Sequence, residues 1–204
     1  EFAPRHSRVA PQRMRLQADT GSANVLVASH ACASCLRERS LLQYDDDLDR
    51  AVCGADCAPR TCTRDARGCA FDVAFGDGSE RYALRVSGEL VHAHARFAAP
   101  RADRGAGAGA PASAVPPRSS SSLPFVNITV RATTTQRGNW PSRVDGILGL
   151  ASAQLSCDPT CAEHDAPAWM ALSRGVGSFS VELNDKGGWI TFPAIVPAAA
   201  GAAA

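Results

Sequence analysis

The residue types best suited to chemistry stand together in one short motif, Asp19-Thr20-Gly21-Ser22, between two strand-like segments. A carboxylate on a tight loop between strands can point into a cleft, and Gly21 lets the backbone approach a neighbouring segment closely. Ser22 can donate a hydrogen bond to the outer carboxylate oxygen, and Thr20 can stiffen the loop by bonding to a neighbouring group. The motif therefore suits acid–base chemistry. Because so short a motif also occurs by chance, an ordinary turn at Asp19 is the alternative.

One carboxylate on such a loop is not enough to hydrolyse a peptide bond by activating a water molecule. Two carboxylates must share one proton, so that one acts as base on a water molecule while the other donates to the carbonyl oxygen. Their closeness separates their pKa values and keeps one charged and the other protonated. No second Asp-Thr-Gly or Asp-Ser-Gly motif follows Asp19 in these 204 residues, so a pair built from two such motifs would have only one member here.

The elements around the motif are mostly strands. Alternating apolar and polar residues predict a mainly β chain with little helix. The predicted strands lie at residues 14–18, 24–27, 71–75, 81–91, 126–130, 179–183 and 189–192. Glycine-rich turns at 76–78 and 185–188 predict two hairpins. One helix is predicted between residues 167 and 174, with a proline near its start and a glycine just after it.

The composition is ordinary for a soluble globular protein, with 45% hydrophobic residues and a formal net charge of +1. This balance gives no electrostatic case for binding nucleic acid or an anionic membrane surface. No apolar run approaches the ~20 residues of a membrane span. Residues 99–124 are rich in Pro, Ala, Gly, Arg and Ser, which predicts a flexible low-complexity surface insertion. Residues 196–204 form an Ala/Gly-rich tail.

Cysteines are numerous for a chain of this size, at eight in 204 residues. Six of them lie close together, and two form a separate pair: Cys32, Cys35, Cys53, Cys57, Cys62 and Cys69, then Cys157 and Cys161. The even count predicts disulfides and an oxidising compartment, although the connectivity of the first six cannot be read from their spacing. A glycosylation sequon at Asn127 agrees with that compartment.

Metal sites are weaker interpretations of the same residues. The Cys32-x-x-Cys35 spacing could hold zinc, but no histidine stands at ligand spacing, and a redox role would need a βαβ context that is missing. His92 and His94 alternate along one predicted strand, where solvated positions are the better interpretation. The acidic run at residues 45–49 lacks the glycine and distal glutamate of a calcium loop, which favours a solvated loop. We therefore expect no metal and no cofactor.

Four segments, in the correct order, resemble the pepsin-like aspartic peptidases. They are residues 11–24 with the Asp19 motif, 71–79 with Phe-Gly-Asp-Gly-Ser, 144–151 with Asp-Gly-Ile-Leu-Gly-Leu, and 179–188 ending in Gly-Gly. They are similar, in that order, to the family's first catalytic loop, its flap hairpin over the substrate, the segment supporting the catalytic loop, and the end of the first lobe. The third segment is the most specific. The Cys-rich insertion is most similar to plant, algal and protist members.

The resemblance covers residues 11–195 and implies a mainly β, pepsin-like lobe of folded β-sheets with one or two short helices. It makes Asp19 catalytic, with loop support from Thr20, Gly21, Ser22, Ile147, Leu148 and Gly149. The flap residues over a bound substrate would be Phe75, Gly76, Asp77, Gly78 and Ser79. The implied cleft lies between this lobe and a second one, and the implied substrate is a peptide or protein.

The implied reaction is endopeptidase cleavage by a water molecule activated between two carboxylates, with an acidic optimum. The partner of Asp19 would come from a second peptidase lobe, or from a second copy of this lobe across a two-fold axis. A non-catalytic peptide- or protein-binding protein on the same scaffold is the alternative. The expected location is the secretory pathway, ending in a vacuole, a lysosome or outside the cell, with any membrane anchor outside this chain.

The sequence departs from the family pattern at the flap. Phe75 stands where the family usually has tyrosine, and Leu26 stands where it usually has tryptophan, two side chains whose hydrogen bond holds the flap. Tyr82 could replace the anchor, although an ordinary strand aromatic is the better interpretation. Residues 1–10 match the family poorly, as if its first strand were degraded or cut away. Asp145 precedes a glycine but belongs to the supporting segment, so it is not nominated as the partner of Asp19.

Overall fold

The computed structural model describes residues 1–6, 9–35, 40–75, 84–98, 124–138, 144–152, 168–173, 178–184 and 187–192. Within these ranges the chain is mainly β, as its alternation predicts. The strands are β1 (Phe2–Pro4), β2 (Leu16–Asp19), β3 (Val25–Ala28), β4 (Ala70–Phe75), β5 (Leu84–Ala95), β6 (Val126–Arg137), β7 (Gly146–Gly149), β8 (Ser180–Asn184) and β9 (Gly187–Thr191). The helices are a short 3-10 turn at Pro59–Thr61 and α1 (Ala168–Leu172), which lies inside the predicted helical range.

Seven strands form one mixed sheet that curls into a half-barrel. The order is β1-β5-β6-β3-β7-β2, and β4 also pairs with β5, while β8 and β9 form a separate hairpin. β2 runs parallel to β7 and β3 runs parallel to β6, whereas β7 is antiparallel to β3. Although β2 and β3 are consecutive in sequence, β7 therefore lies between them. This insertion brings residues 146–149 against the Asp19 loop.

The opening segment contributes to the sheet despite its poor match to the family. Phe2–Pro4 form β1, which pairs antiparallel with the end of β5. Phe2 is buried in the larger apolar cluster, and its backbone also exchanges two hydrogen bonds with Gln12. The physical reason is that an aromatic side chain here covers apolar surface that the last residues of β5 would otherwise expose.

The core lies on both faces of the sheet, and β3 shows it most directly because all four of its residues are buried. Val25 and Val27 face the larger cluster, which includes Trp169 of α1. Leu26, which points the other way, belongs to a smaller cluster beside the β4–β5 hairpin. The smaller cluster contains Leu26, Phe71, Leu84, Val86 and Ile147, with Val73, Phe75, Leu90 and Val144 packed against it. A strand covered on both faces loses polar alternation, which explains its continuous apolar run.

Six of the predicted disulfide cysteines are paired, which confirms the disulfide prediction for them. The bonds are Cys32–Cys35, Cys53–Cys62 and Cys57–Cys69, while Cys157 and Cys161 lie outside the described residues. Disulfides fit an oxidising secretory or extracellular environment. Among the described residues, no helix is long and apolar enough to cross a membrane. The same residues contain no group of three or more His, Cys, Asp or Glu side chains arranged to hold a metal ion.

Candidate active site

Asp19 is the last residue of β2, and β7 fixes its backbone. The parallel ladder sets Asp19 opposite Gly149, and the N–H of Leu150 donates to the Asp19 carbonyl oxygen at 2.7 Å. The chain then turns through residues 20–24 into β3, which pairs with the other edge of β7. Asp19 thus lies on a loop whose two ends are attached to the same strand. Such a loop cannot shift without breaking strand pairing on both sides of β7.

The Asp19 carboxylate is held by its own loop. The N–H of Gly21 donates to Oδ1 at 2.8 Å, and the hydroxyl of Ser22 donates to Oδ2 at 2.7 Å, the contact expected for Ser22 from the sequence. A Cβ atom at Gly21 would lie 3.2 Å from Oδ1, so the glycine leaves little spare room. Thr20 is exposed and makes no hydrogen bond within the described residues, so its expected stiffening contact is not seen there. The result is an oriented and partly exposed carboxylate.

The segment behind the loop approaches it closely. The N–H of Gly149 donates to the carbonyl of Asn24 at 2.9 Å, and the N–H of Ala151 donates to the carbonyl of Ser22 at 2.9 Å. A Cβ atom at Gly149 would lie 2.5 Å from both the Asn24 nitrogen and the Ser22 oxygen. One at Gly146 would lie 2.2 Å from the Leu26 carbonyl oxygen. Both glycines are therefore required by close backbone approach.

The two apolar residues between these glycines anchor β7 on opposite faces. Ile147 packs in the smaller cluster and Leu148 packs in the larger one. In register, Leu148 lies opposite Val25 and Ile147 lies opposite Leu26. The Gly-Ile-Leu-Gly sequence thus alternates as a strand should, with small residues at both ends where backbones meet. The structure places Ile147, Leu148 and Gly149 directly beside the Asp19 loop.

The base of the predicted flap is apolar. Phe75 ends β4 and packs against the smaller cluster, to which Leu26 also belongs. Phe75 and Leu26 stand where the family usually has tyrosine and tryptophan. Both contact the same apolar cluster, and neither side chain can form a hydrogen bond. Gly76, Asp77, Gly78, Ser79 and Tyr82 lie outside the described residues.

Asp145 lies one residue before β7 and is almost fully buried, with 1% of its surface exposed. Its carboxylate accepts hydrogen bonds from the backbone N–H groups of Arg15 at 2.7 Å and Ser40 at 3.0 Å. Because Asp145 is buried and both of its oxygens accept main-chain N–H groups, its carboxylate is closed to solvent and to any molecule bound at the surface. The sequence analysis assigned no anchoring role to Asp145. An aspartate inside an apolar run nevertheless indicates a buried hydrogen-bonded carboxylate, because burying a carboxylate requires partners.

The acidic run is not entirely solvated. Asp46 and Asp47 are exposed, but Asp49 is fully buried, so the prediction of a solvated loop is wrong at that position. The Asp49 carboxylate accepts the backbone N–H groups of His6 at 2.8 Å and Asp45 at 2.9 Å. These bonds explain the burial, since a carboxyl group can be buried when its oxygens accept hydrogen bonds.

The two histidines of β5 behave as ordinary strand residues, both of them half-buried. His92 Nε2 lies 3.1 Å from an Asp56 carboxylate oxygen. Partial burial opposes ionisation of Asp56, but hydrogen bonds from the Val52 N–H and from His92 together hold its pKa below the usual range. The His92–Asp56 pair therefore links a surface loop to β5 and brings together no metal site.

Comparison with known proteins adds no identification: no protein-family model matches the chain, and no curated protein matches it.

Proposed function

We propose that this chain is one lobe of an aspartic-type endopeptidase and that Asp19 is one of its two catalytic carboxylates. The observation that carries the proposal is how the carboxylate is held. Gly21 and Ser22 each donate to one of its oxygens, on a loop attached at both ends to β7. The Gly21 bond alone is that of an ordinary Asx turn, whereas the Ser22 hydroxyl on the second oxygen and the pairing of both loop ends with β7 fix the carboxylate further. A carboxylate that must meet a partner and a water molecule at hydrogen-bond distance needs a fixed orientation.

The position of β2 supports a partner from outside this lobe. Within the described residues, β2 is the last strand in the sheet order and pairs only with β7. Asp19 at its end is partly exposed. A second carboxylate, from another lobe or another copy of this chain, can therefore approach Asp19 at this end of the sheet. A complete active site in this proposal is shared between two such units.

The proposed reaction uses a water molecule held between the two carboxylates. One carboxylate removes a proton from the water as its oxygen attacks the peptide carbonyl, and the other donates a proton to the carbonyl oxygen. The first carboxylate then gives its proton to the amide nitrogen as the C–N bond breaks, and the second takes a proton back from a hydroxyl of the diol as the new carboxyl group forms. Gly21 and Ser22 keep the Asp19 oxygens at fixed positions during both steps. Because one member of the pair must stay protonated, cleavage is expected to be fastest at acidic pH.

The test is cleavage of a peptide library by the purified full-length protein across the acidic and neutral pH range. We expect cleavage that is fastest at acidic pH and is lost in Asp19→Ala. Asp47→Asn, which removes an exposed carboxylate far along the chain from Asp19, is the matched control and should leave cleavage unchanged. Cleavage that survives in Asp19→Ala would refute the role of Asp19.

A second candidate is a non-catalytic binding protein on the same scaffold. It is favoured by the apolar base of the flap, where Phe75 and Leu26 offer no hydrogen bond to hold a closed flap over substrate. This candidate predicts peptides that bind the full-length protein and are released uncut at every pH. A single lobe acting as a homodimer is distinguished by sedimentation, since only monomer at assay concentrations excludes it.

The proposed location is the secretory pathway, leading to a vacuole, a lysosome or the exterior, with Asn127 carrying a glycan. Asn127 is exposed near the start of β6, and Thr129 of the same sequon is exposed on the same face. The strand beside this position is β5, with Asn127 opposite His94, while β3 pairs with β6 only from Val130 onward. Glycosidase digestion of the secreted protein should therefore shift its mobility, and Asn127→Gln should abolish the shift.

A further inference from the structure

We propose that Asp145 is a positioning residue for Asp19: its buried carboxylate and backbone set the register of β2 against β7 and thereby the orientation of the Asp19 loop. The catalytic consequence rests on the proposed function, whereas the positioning itself is a property of the fold.

The side chain of Asp145 joins segments that are far apart in sequence. Oδ2 accepts the Arg15 N–H across 130 residues, and Oδ1 accepts the Ser40 N–H across 105 residues. Only a carboxylate offers two acceptor oxygens here, since an amide would turn an NH₂ group toward one of these donors. The Arg15 guanidinium lies farther away, at 3.8 Å, on a side chain that is 66% exposed, so the backbone bonds dominate.

The backbone of Asp145 adds two bonds to the neighbouring strands. Its N–H donates to the Arg15 carbonyl at 2.7 Å, and its carbonyl accepts the Ala28 N–H at 3.2 Å. Arg15 directly precedes β2, and Ala28 is the last residue of β3. One residue therefore ties the start of β2 and the end of β3 to the start of β7.

The register of β2 needs such a tie because its ladder is short. Only four residue pairs join β2 to β7, from Leu16↔Gly146 to Asp19↔Gly149. A slip by one residue would turn every β2 side chain, including that of Asp19, to the opposite face of the sheet. The reciprocal bonds between Asp145 and Arg15 stand immediately before the first pair, where they exclude that slip.

The test is hydrogen exchange at single amides in the 204-residue chain, comparing Asp145→Asn with the unmodified protein. The informative amides are Leu150, which donates to the Asp19 carbonyl, and Gly21, which donates to the Asp19 carboxylate. We expect both to exchange about tenfold faster, the change that loss of one hydrogen bond produces, while the amides of the β5–β6 ladder are unchanged. Asp72→Asn, which removes an exposed carboxylate paired with Arg85, is the matched control. It should change the exchange rate of neither Leu150 nor Gly21.

Equal acceleration in the β5–β6 ladder would overturn the proposal, because it would show a general loss of stability. Wild-type rates at Gly21 and Leu150 would overturn it as well. If Asp145→Asn does not fold, Ser40→Pro decides the matter, because proline removes one donor to Asp145 and leaves the carboxylate in place. That variant should accelerate the same two amides to a smaller extent, and no acceleration would refute the proposal.

The catalytic consequence is measured on the full-length protein. Asp145→Asn should lower kcat about tenfold with KM unchanged, because misorientation of a catalytic group slows the chemical step without changing the substrate contacts. A rise in KM with kcat intact would contradict positioning. If the unmodified protein cleaves no peptide, the proposed function fails, whereas the exchange experiment still decides whether Asp145 positions Asp19.

Discussion

Two regions of this sheet are held together by opposite means: the strand crossing of β2, β7 and β3 around Asp19, and the cystine segment, residues 49–69, which lies on β5. In the strand crossing, each strand has four residues and the contacts are made by backbone, with glycine where the approach is closest. In the cystine segment, regular structure is limited to one short 3-10 turn and isolated bridges, and two disulfides replace it.

The cystine segment contacts β5 through a few backbone bonds and two ion pairs, Arg50–Glu89 and Asp56–His92. Ala51 donates to the Leu90 carbonyl at 2.9 Å, and Leu90 donates to the Cys69 carbonyl at 2.8 Å. Beside them, Arg50 Nε lies 2.7 Å from a Glu89 carboxylate oxygen. Partial burial raises the pKa of Glu89 despite the attraction of Arg50, so desolvation outweighs that attraction at this carboxylate.

The difference shows where each region tolerates change. The strand crossing has no space for an added atom at Gly146 or Gly149, and its geometry depends on the backbone bonds staying in register. The cystine segment depends on cross-links that act mainly by restricting the unfolded chain, so less of its stability rests on close backbone packing. A region that must orient a carboxylate is thus built from packed backbone, and a region that covers a strand is built from covalent ties.

The largest effect is expected from Gly149→Ala. Its Cβ atom would meet backbone atoms of Asn24 and Ser22 at 2.5 Å, and the backbone can make room only if the strands separate. We expect the free energy of unfolding to fall by about 3 kcal/mol in urea denaturation, the upper end of what overpacking costs. Gly21→Ala is the control, since its Cβ meets only the Asp19 side chain, at 3.2 Å, and should cost under about 1 kcal/mol. Equal losses in the two variants would contradict the role given to close backbone approach.

An intermediate effect is expected from removing the Cys57–Cys69 disulfide as a double serine variant. Opening a loop of separation 12 should lower the free energy of unfolding by about 2 to 3 kcal/mol, mainly through the entropy of the unfolded chain. Thermal unfolding under oxidising conditions measures it. Replacing Cys32 and Cys35 opens a loop of separation 3 and should cost less. The Cys32–Cys35 disulfide closes the shorter loop. If it proves more stabilising than Cys57–Cys69, the entropy of the unfolded chain is not the main source of the stabilisation.

The sequence was informative where the alternation of single strands decides the structure, as in β4 and the start of β6. It was less informative for β5, where the alternation breaks at Glu89 and Leu90, both of them half-buried, close to a register shift between Ser87 and Gly88. The predicted strand ends at residue 91, although His92 and His94 continue the alternation with buried residues to Ala95. The pairing of β7 with both β2 and β3 cannot be predicted from periodicity. Periodicity shows which side chains share one face of a strand, but it does not show which strand lies beside it.

The contacts of the site were predictable from the sequence only where they join residues close together in the chain. The bond from Ser22 to Asp19 spans three residues, so local reasoning predicts it. The buried roles of Asp49 and Asp145 depend on backbone donors as far as 43 and 130 residues away, which no local pattern reveals. Disulfide pairing is equally non-local, because the spacing of six cysteines leaves many connectivities open.

The smallest effect is expected from the Asp56–His92 pair, which fastens the cystine segment to β5 at its solvent side. Because the pKa of Asp56 is lowered in the folded state, its contribution is present above the carboxylate's unfolded pKa, about 4, and is lost as pH falls through the lower folded value. Asp56→Asn should therefore lower the free energy of unfolding by less than about 1 kcal/mol at about pH 6, since both side chains are partly exposed. Urea denaturation at that pH and again near pH 2 should show that difference disappear in acid, and Asp47→Asn should show none at either pH. A difference that persisted in acid would mean that the aspartate acts through packing and not through its charge, and the cystine segment would then be fastened much as the strand crossing is.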